Sequence, residues 1–202
     1  MRSLIGMGFV LLMTAQVVTA QQPAAGGGTP KVARDLDTSS MVLARVGYFL
    51  ASDPAYKDIY GNGMVFGGEL RAGSKRLGTR LGIWGEGNYR TRKGAFSFTK
   101  EPTTVSVTAI EGGVLYRFMP KTASPYAGAG VGYYLYNENN TPIGKATQNK
   151  VGFCAAAGFS AVVARRMIVD VRLKYSVVNM QPADFAIKVG GLTAGLGVGV
   201  RF

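Results

Sequence analysis

From Met41 to the last residue, hydrophobic side chains recur at every second position, the period of a β-strand and not of a helix. Val42, Ala44, Val46, Tyr48 and Leu50 share one face of the first segment, with Arg45 and Gly47 on the other. Met64, Phe66, Leu70 and Ala72 then oppose Glu69 and Arg71, and Leu81, Ile83, Gly85, Gly87 and Tyr89 oppose Arg80, Trp84, Glu86, Asn88 and Arg90. In the next segment Thr108, Ile110, Val114, Tyr116 and Phe118 oppose Glu111, Leu115 and Arg117. Ala127, Ala129, Val131, Tyr133 and Leu135 follow against Gly128, Gly130, Gly132 and Tyr134, then Val151, Phe153, Ala155, Ala157, Phe159 and Val163 against Gly152, Cys154, Gly158 and Ser160. The seventh segment sets Met167, Val169, Val171, Leu173, Tyr175 and Val177 against Asp170, Arg172, Lys174 and Ser176. The eighth alternates Leu192, Ala194, Leu196, Val198, Val200 and Phe202 with Thr193, glycines and Arg201.

Eight segments, an even number, are joined alternately by short turns (GSKRLG, MPKTAS, ARRM) and by longer connections near 52–62, 93–102, 138–149 and 179–187. That alternation predicts an antiparallel up-and-down barrel with both ends of the strand array on the short-turn side. A soluble barrel of the lipocalin kind also alternates, so the faces decide which side is outermost. A soluble barrel has an apolar interior and a densely charged exterior. Here the uncharged face is the bulky one, and the opposite face mixes glycine with isolated charges. Glycines facing inward leave room in a narrow barrel for long arginines and for Trp84 reaching across, while Tyr48, Tyr89, Tyr116, Phe118, Tyr133, Tyr175 and Phe202 fall on the bulky face near segment ends, as in an interfacial girdle. The expectation is an all-β, eight-stranded antiparallel up-and-down transmembrane β-barrel over residues 40–202.

Ahead of the barrel, Arg2, the apolar run Leu4–Met13 and the small-residue exit Val18-Thr19-Ala20 read as a cleavable signal peptide over 1–20. Residues 21–39, with AAGGGTP among them, are too polar and glycine-rich to bury a core and read as a flexible periplasmic tail.

Composition narrows the chemistry. The chain has no histidine and a single cysteine, Cys154, which removes the commonest general base and any intrachain disulfide or multi-cysteine zinc site. No metal site and no cofactor is expected. The net charge of +12 is scattered along the chain and forms no helical basic stripe, so nucleic acid is not the expected partner. Gly128, Gly130 and Gly132 have the wrong spacing for a dinucleotide loop, and Ile143-Gly144-Lys145-Ala146 lacks the hydroxyl residue of a phosphate-binding loop.

What remains is the charged set with inward parity: Arg45, Glu69, Arg71, Arg80, Glu86, Arg90, Glu111, Arg117, Asp170, Arg172, Lys174 and Arg201. Charges inside so small a barrel are expected to pair across it, since an isolated one is costly. A lumen plugged by side chains is one reading; the excess of Arg and Lys over acids keeps open a narrow anion-conducting path.

The stretches PYAGAGVGYY (125–134), GFSAVVARRMIVDVRLKYS (158–176) and GLTAGLGVGVRF (191–202) resemble the later strands of the small OmpA-like and OmpW-like outer-membrane β-barrel families. The resemblance implies residence in the bacterial outer membrane, contact with its lipid and lipopolysaccharide, and recognition of Phe202 by the barrel-assembly machinery during biogenesis. Barrel enzymes of that membrane rely on histidine, which this chain lacks. The expected function is therefore a non-catalytic structural or interaction role in the envelope, the alternative being a narrow pore or conduit for small anionic or apolar solutes.

Overall fold

The computed structural model describes residues 40–73, 80–95, 101–119, 122–140, 144–181 and 187–202. The signal peptide and tail expected over 1–20 and 21–39 lie outside the described residues. Ten strands and one helix are present among those described: β1 (Met41–Ala51), α1 (Pro54–Tyr60), β2 (Gly63–Gly73), β3 (Leu81–Ala95), β4 (Pro102–Arg117), β5 (Ala123–Asn140), β6 (Gly144–Val162), β7 (Met167–Val177), β8 (Asn179–Met180), β9 (Ile187–Lys188) and β10 (Gly191–Arg201).

Eight strands close into one barrel in the order β1-β10-β7-β6-β5-β4-β3-β2, each antiparallel to its neighbours. Closure is made by the first and last strands, whose register runs without interruption from Met41 opposite Arg201 to Ala51 opposite Gly191. No backbone edge is thereby left along that seam, the condition a sheet must meet to sit in hydrocarbon. The expected alternation is present on every wall: Val46, Phe66, Leu70, Ile83, Ile110, Val131, Phe153, Leu173 and Leu196 are exposed outward, while Glu69, Arg71, Glu86, Glu111, Asp170 and Arg172 are buried. For a chain in water this distribution would be inverted, and in a bilayer it is the stable one.

The walls are taller than the hydrophobic period alone indicates. The stretch 138–149, read as a long loop, is mostly paired strand: β5 and β6 stay in register from Ala123 opposite Ala161 up to Asn140 opposite Gly144. Likewise β3 and β4 remain paired to Ala95 opposite Pro102. Beyond the bilayer both faces of a hairpin meet water, so apolar alternation stops although the hydrogen-bond ladder does not.

Over the same end lies α1. Asp53 caps it, accepting hydrogen bonds from the backbone N–H groups of Ala55 (2.8 Å) and Tyr56 (3.3 Å), with Pro54 in the first turn. The helix stops at Gly61, whose φ of 67° suits a residue without a Cβ. Asp53 also accepts from the Lys188 N–H at 2.8 Å, which ties the helix to the small β8–β9 hairpin. Those backbone bonds hold the Asp53 carboxyl below the ordinary carboxylate range.

Candidate functional site

Five of the eight walls supply the central charges of the lumen through residues that their parity turns inward: Arg45 from β1, Glu69 and Arg71 from β2, Glu86 from β3, Glu111 from β4, and Asp170, Arg172 and Lys174 from β7. They join into one continuous ladder. Asp170 accepts from Arg45 at 2.7 Å and from Arg71 at 3.1 Å. Both arginines also contact Glu69. Glu69 accepts in turn from Arg172 at 2.9 Å, and Arg172 reaches Glu86 at 2.5 Å. Lys174 closes the series, 3.2 Å from Glu86 and in contact with Glu111.

The tally of charge is even: Arg45, Arg71, Arg172 and Lys174 make four cations against the four carboxylates Glu69, Glu86, Glu111 and Asp170. All of these side chains are at most 6% exposed. Such burial is sustainable only where geometry and extra hydrogen bonds offset desolvation, and neutral partners provide them. Asp170 accepts from the Tyr126 hydroxyl at 2.9 Å and from Ser160 at 2.5 Å, and Glu111 from Tyr134 at 2.5 Å and the Asn88 amide at 2.8 Å. Arg71 has its remaining N–H groups on Tyr126 (2.8 Å) and Ser160 (3.0 Å), with its guanidinium 4.3 Å from the Tyr126 ring centroid. Glycine on nearby strands makes room for these inward side chains. A Cβ at Gly158 would lie 2.5 Å from the Tyr126 hydroxyl, and one at Gly130 would lie 3.0 Å from the Trp84 ring and strike the Gly112 carbonyl.

Four members of the inward-parity set stand apart from the ladder. Arg80 is a correction: it is exposed in the turn before β3, and its guanidinium donates to the outward Tyr116 hydroxyl at 3.2 Å. One residue before the strand begins, the pleat no longer dictates direction, and the long side chain reaches the rim. Arg90 lies above the ladder, donating to the Val189 carbonyl at 2.6 Å with its guanidinium 3.7 Å from the Phe49 ring centroid. Arg117 and Arg201 are buried at the short-turn end, Arg201 donating to the Arg165 carbonyl at 3.2 and 3.1 Å. Cys154 faces inward among Trp84, Leu115 and Tyr126.

A second layer was not apparent from the segment pattern. Above the ladder, Phe49, Val65, Val105, Val107, Ala109, Tyr134 and Tyr136 turn inward and pack against Tyr56 and Tyr60 of α1 and against Val178, Met180 and Val189 around the β8–β9 hairpin. Tyr60 donates to Glu138 at 2.6 Å, as does Tyr136 at 2.6 Å, so the layer is pinned by hydrogen bonds at its rim. Strict parity carried upward from Glu111 through Ala109, Val107 and Val105 is the signal that identifies it. The lumen is thus an ionic floor beneath an apolar ceiling.

The family model described as Outer membrane protein beta-barrel domain matches residues 6–202. Among solved structures, the outer membrane protein OprG from Pseudomonas aeruginosa is similar at a TM-score of 0.65 and 11% identity, covering 84% of this chain and 98% of that one. Neisserial surface protein A is similar at a TM-score of 0.58 and 18% identity, over 81% of this chain and 97% of that one. Ail of Yersinia pestis, solved in complex with the heparin analogue sucrose octasulfate, gives 0.54 and 18%, over 81% and 97%. No curated protein sequence matches the chain.

Proposed function

The chain belongs to the outer membrane protein beta-barrel domain family, and from that premise we propose that it is a closed, non-catalytic barrel serving a structural or interaction role in the bacterial outer membrane. The observation that carries this reading is the neutral ladder under a packed apolar layer. Within the ladder, four cations facing four carboxylates leave no fixed excess charge to concentrate one ion. A permeating ion must separate desolvated pairs and then cross the layer formed by Tyr56, Tyr136, Val178 and Met180. Eight strands leave an interior that side chains can fill.

On this reading the outward band meets membrane lipid, the tall walls and α1 stand among lipopolysaccharide headgroups, and outward Phe202 at the end of β10 presents the last strand to the assembly machinery. Single-channel recording of the refolded protein in planar bilayers tests the closed lumen. Silence across a voltage ramp is the expected result, and a steady conductance from the unmutated protein rejects the proposal in favour of a pore.

A further inference from the structure

The charges of the described residues are not spread evenly over the barrel. The ladder is neutral, so their excess of cations lies outside it. Among the described residues, the carboxylates outside the lumen, Asp53, Asp58, Glu101 and Glu138, all lie at the loop end, mixed with lysines and arginines. The short-turn end carries Arg80, Arg117, Arg165, Arg166 and Arg201 with no carboxylate side chain among the described residues. Three of these, Arg80, Arg165 and Arg166, are exposed.

Their setting is membrane interface. Arg80 is hydrogen-bonded at 3.2 Å to Tyr116, an outward ring packed edge-on against Phe118 with centroids 5.3 Å apart. Arg165 and Arg166 lie in the turn that leads to outward Met167, next to outward Phe202. That turn is held in place: the Arg166 carbonyl accepts from the Arg201 N–H at 2.9 Å, and the Arg165 carbonyl accepts from the Arg201 side chain. The backbone of Arg80 is held likewise, its carbonyl accepting from the Arg117 N–H at 2.8 Å. The guanidiniums therefore sit at the edge of the apolar band, at headgroup height, on pre-ordered turns.

We propose that this rim is a binding site for the phosphates of anionic phospholipids, phosphatidylglycerol and its relatives, in the leaflet that faces the short turns. A planar guanidinium beside an interfacial aromatic pairs with phosphate bidentately, which a zwitterionic headgroup partly neutralises with its own cation. The strands that carry Arg80 and Arg165–Arg166, β3 and β7, stand on opposite walls of the barrel. One compact polyanion cannot engage both, whereas separate lipids surrounding the barrel can. The proposal rests on the short turns facing the phospholipid leaflet, and not on whether the lumen conducts.

The full chain is refolded into nanodiscs of phosphatidylcholine with a minor fraction of phosphatidylglycerol, and the lipids retained after mild extraction are counted by native mass spectrometry. Retained phosphatidylglycerol is expected to exceed its bulk ratio by about fivefold, equivalent to roughly 1 kcal/mol for an arginine near an anionic surface, and to fall toward parity at high salt. In Arg80→Gln/Arg165→Gln/Arg166→Gln the enrichment should vanish, while the corresponding lysine variant keeps most of it. A control with Lys57, Lys145 and Lys150 changed to Gln should retain it fully. No enrichment in the parent, a salt-insensitive enrichment, or loss in the loop-end control overturns the proposal. Discs bearing lipid A in place of phosphatidylglycerol separate the two phosphate sources: an arginine variant that loses lipid A but keeps phosphatidylglycerol assigns the rim to the opposite leaflet and overturns it as well.

Discussion

Glu69 is the hub of the ladder, and its removal tests whether the lumen is dry. It accepts from Arg45, Arg71 and Arg172 at once, so Glu69→Ala deletes three charge-assisted contacts and leaves four cations facing three carboxylates. Stripping one partner from a buried pair costs about 3–5 kcal/mol. The structure places this case at the lower end, about 3 kcal/mol, because every orphaned cation keeps another acid: Arg45 at 2.7 Å and Arg71 at 3.1 Å from Asp170, and Arg172 at 2.5 Å from Glu86. Urea-dependent refolding into vesicles, followed by the fluorescence of the single tryptophan, Trp84, reads the cost directly. Adding Arg45→Met restores three against three, with Asp170 still held by Arg71; the double variant should be more stable than Glu69→Ala alone. A cost below about 1 kcal/mol, the range of exposed pairs, or strictly additive costs in the double variant, would refute a dry and compensating network.

Other outcomes follow from the same geometry. Leu173→Arg, on the outward face and 53% exposed there, should cost about 2–4 kcal/mol in the same titration, whereas Ser176→Ala, facing the lumen, should cost less than about 1 kcal/mol; equal costs would mean the faces are exchanged. Gly113→Ala places a Cβ against the Ala129 carbonyl and should lose about 1–3 kcal/mol, while Gly87→Ala, with nothing within 4 Å, should be neutral in refolding yield and stability. The Asp53 carboxyl is depressed in the folded chain chiefly by the Lys188 N–H, so the stability that it contributes is present above its unfolded value of about 3.9 and is lost as pH falls through the lower folded value. The protection of the Ala55, Tyr56 and Lys188 amides, taken as the exchange rate relative to its intrinsic value at each pH, should fall only in that acidic window; Asp53→Ala should lower it at neutral pH and remove the pH step.

The strand walls were legible because the bilayer enforces a strict rule: an outward position must be apolar, so Val42 to Leu50 and Met167 to Val177 declare themselves by alternation alone. The same rule explains which features leave no mark on the sequence. Above the bilayer no solvent asymmetry marks the faces of β5 and β6, and their paired ends resembled a loop. The apolar ceiling was obscured for a related reason. Phe49 lies between outward Tyr48 and Leu50, and Val105 and Val107 alternate with Thr104, Ser106 and Thr108, so an inward apolar residue gives no contrast of the kind that an inward charge gives. Partners within the ladder could not be read either. Parity places Glu69 and Asp170 inside, but which guanidinium meets which carboxylate depends on the register between β2 and β7, walls that do not adjoin in the barrel order.

The arrangement of the two layers bears on why the ladder needs its ceiling. A buried ion pair is strong only while water is excluded, since the attraction at a given distance falls as the effective dielectric rises. Phe49, Tyr136 and Val178 pack between the ladder and the loop end, and Arg90, 3.7 Å from the Phe49 ring centroid and bonded to the Val189 carbonyl, fastens that layer to the wall of β3. The helix above is secured in turn by Tyr60 on Glu138 and by Asp53 on Lys188. Loosening the ceiling should therefore weaken pairs that it never touches. A Val178→Ser substitution that lowers the coupling between Glu69 and Arg45 in a double-mutant cycle would show the dependence, and a coupling unchanged by the wetter ceiling would show that the ladder excludes water by its own packing.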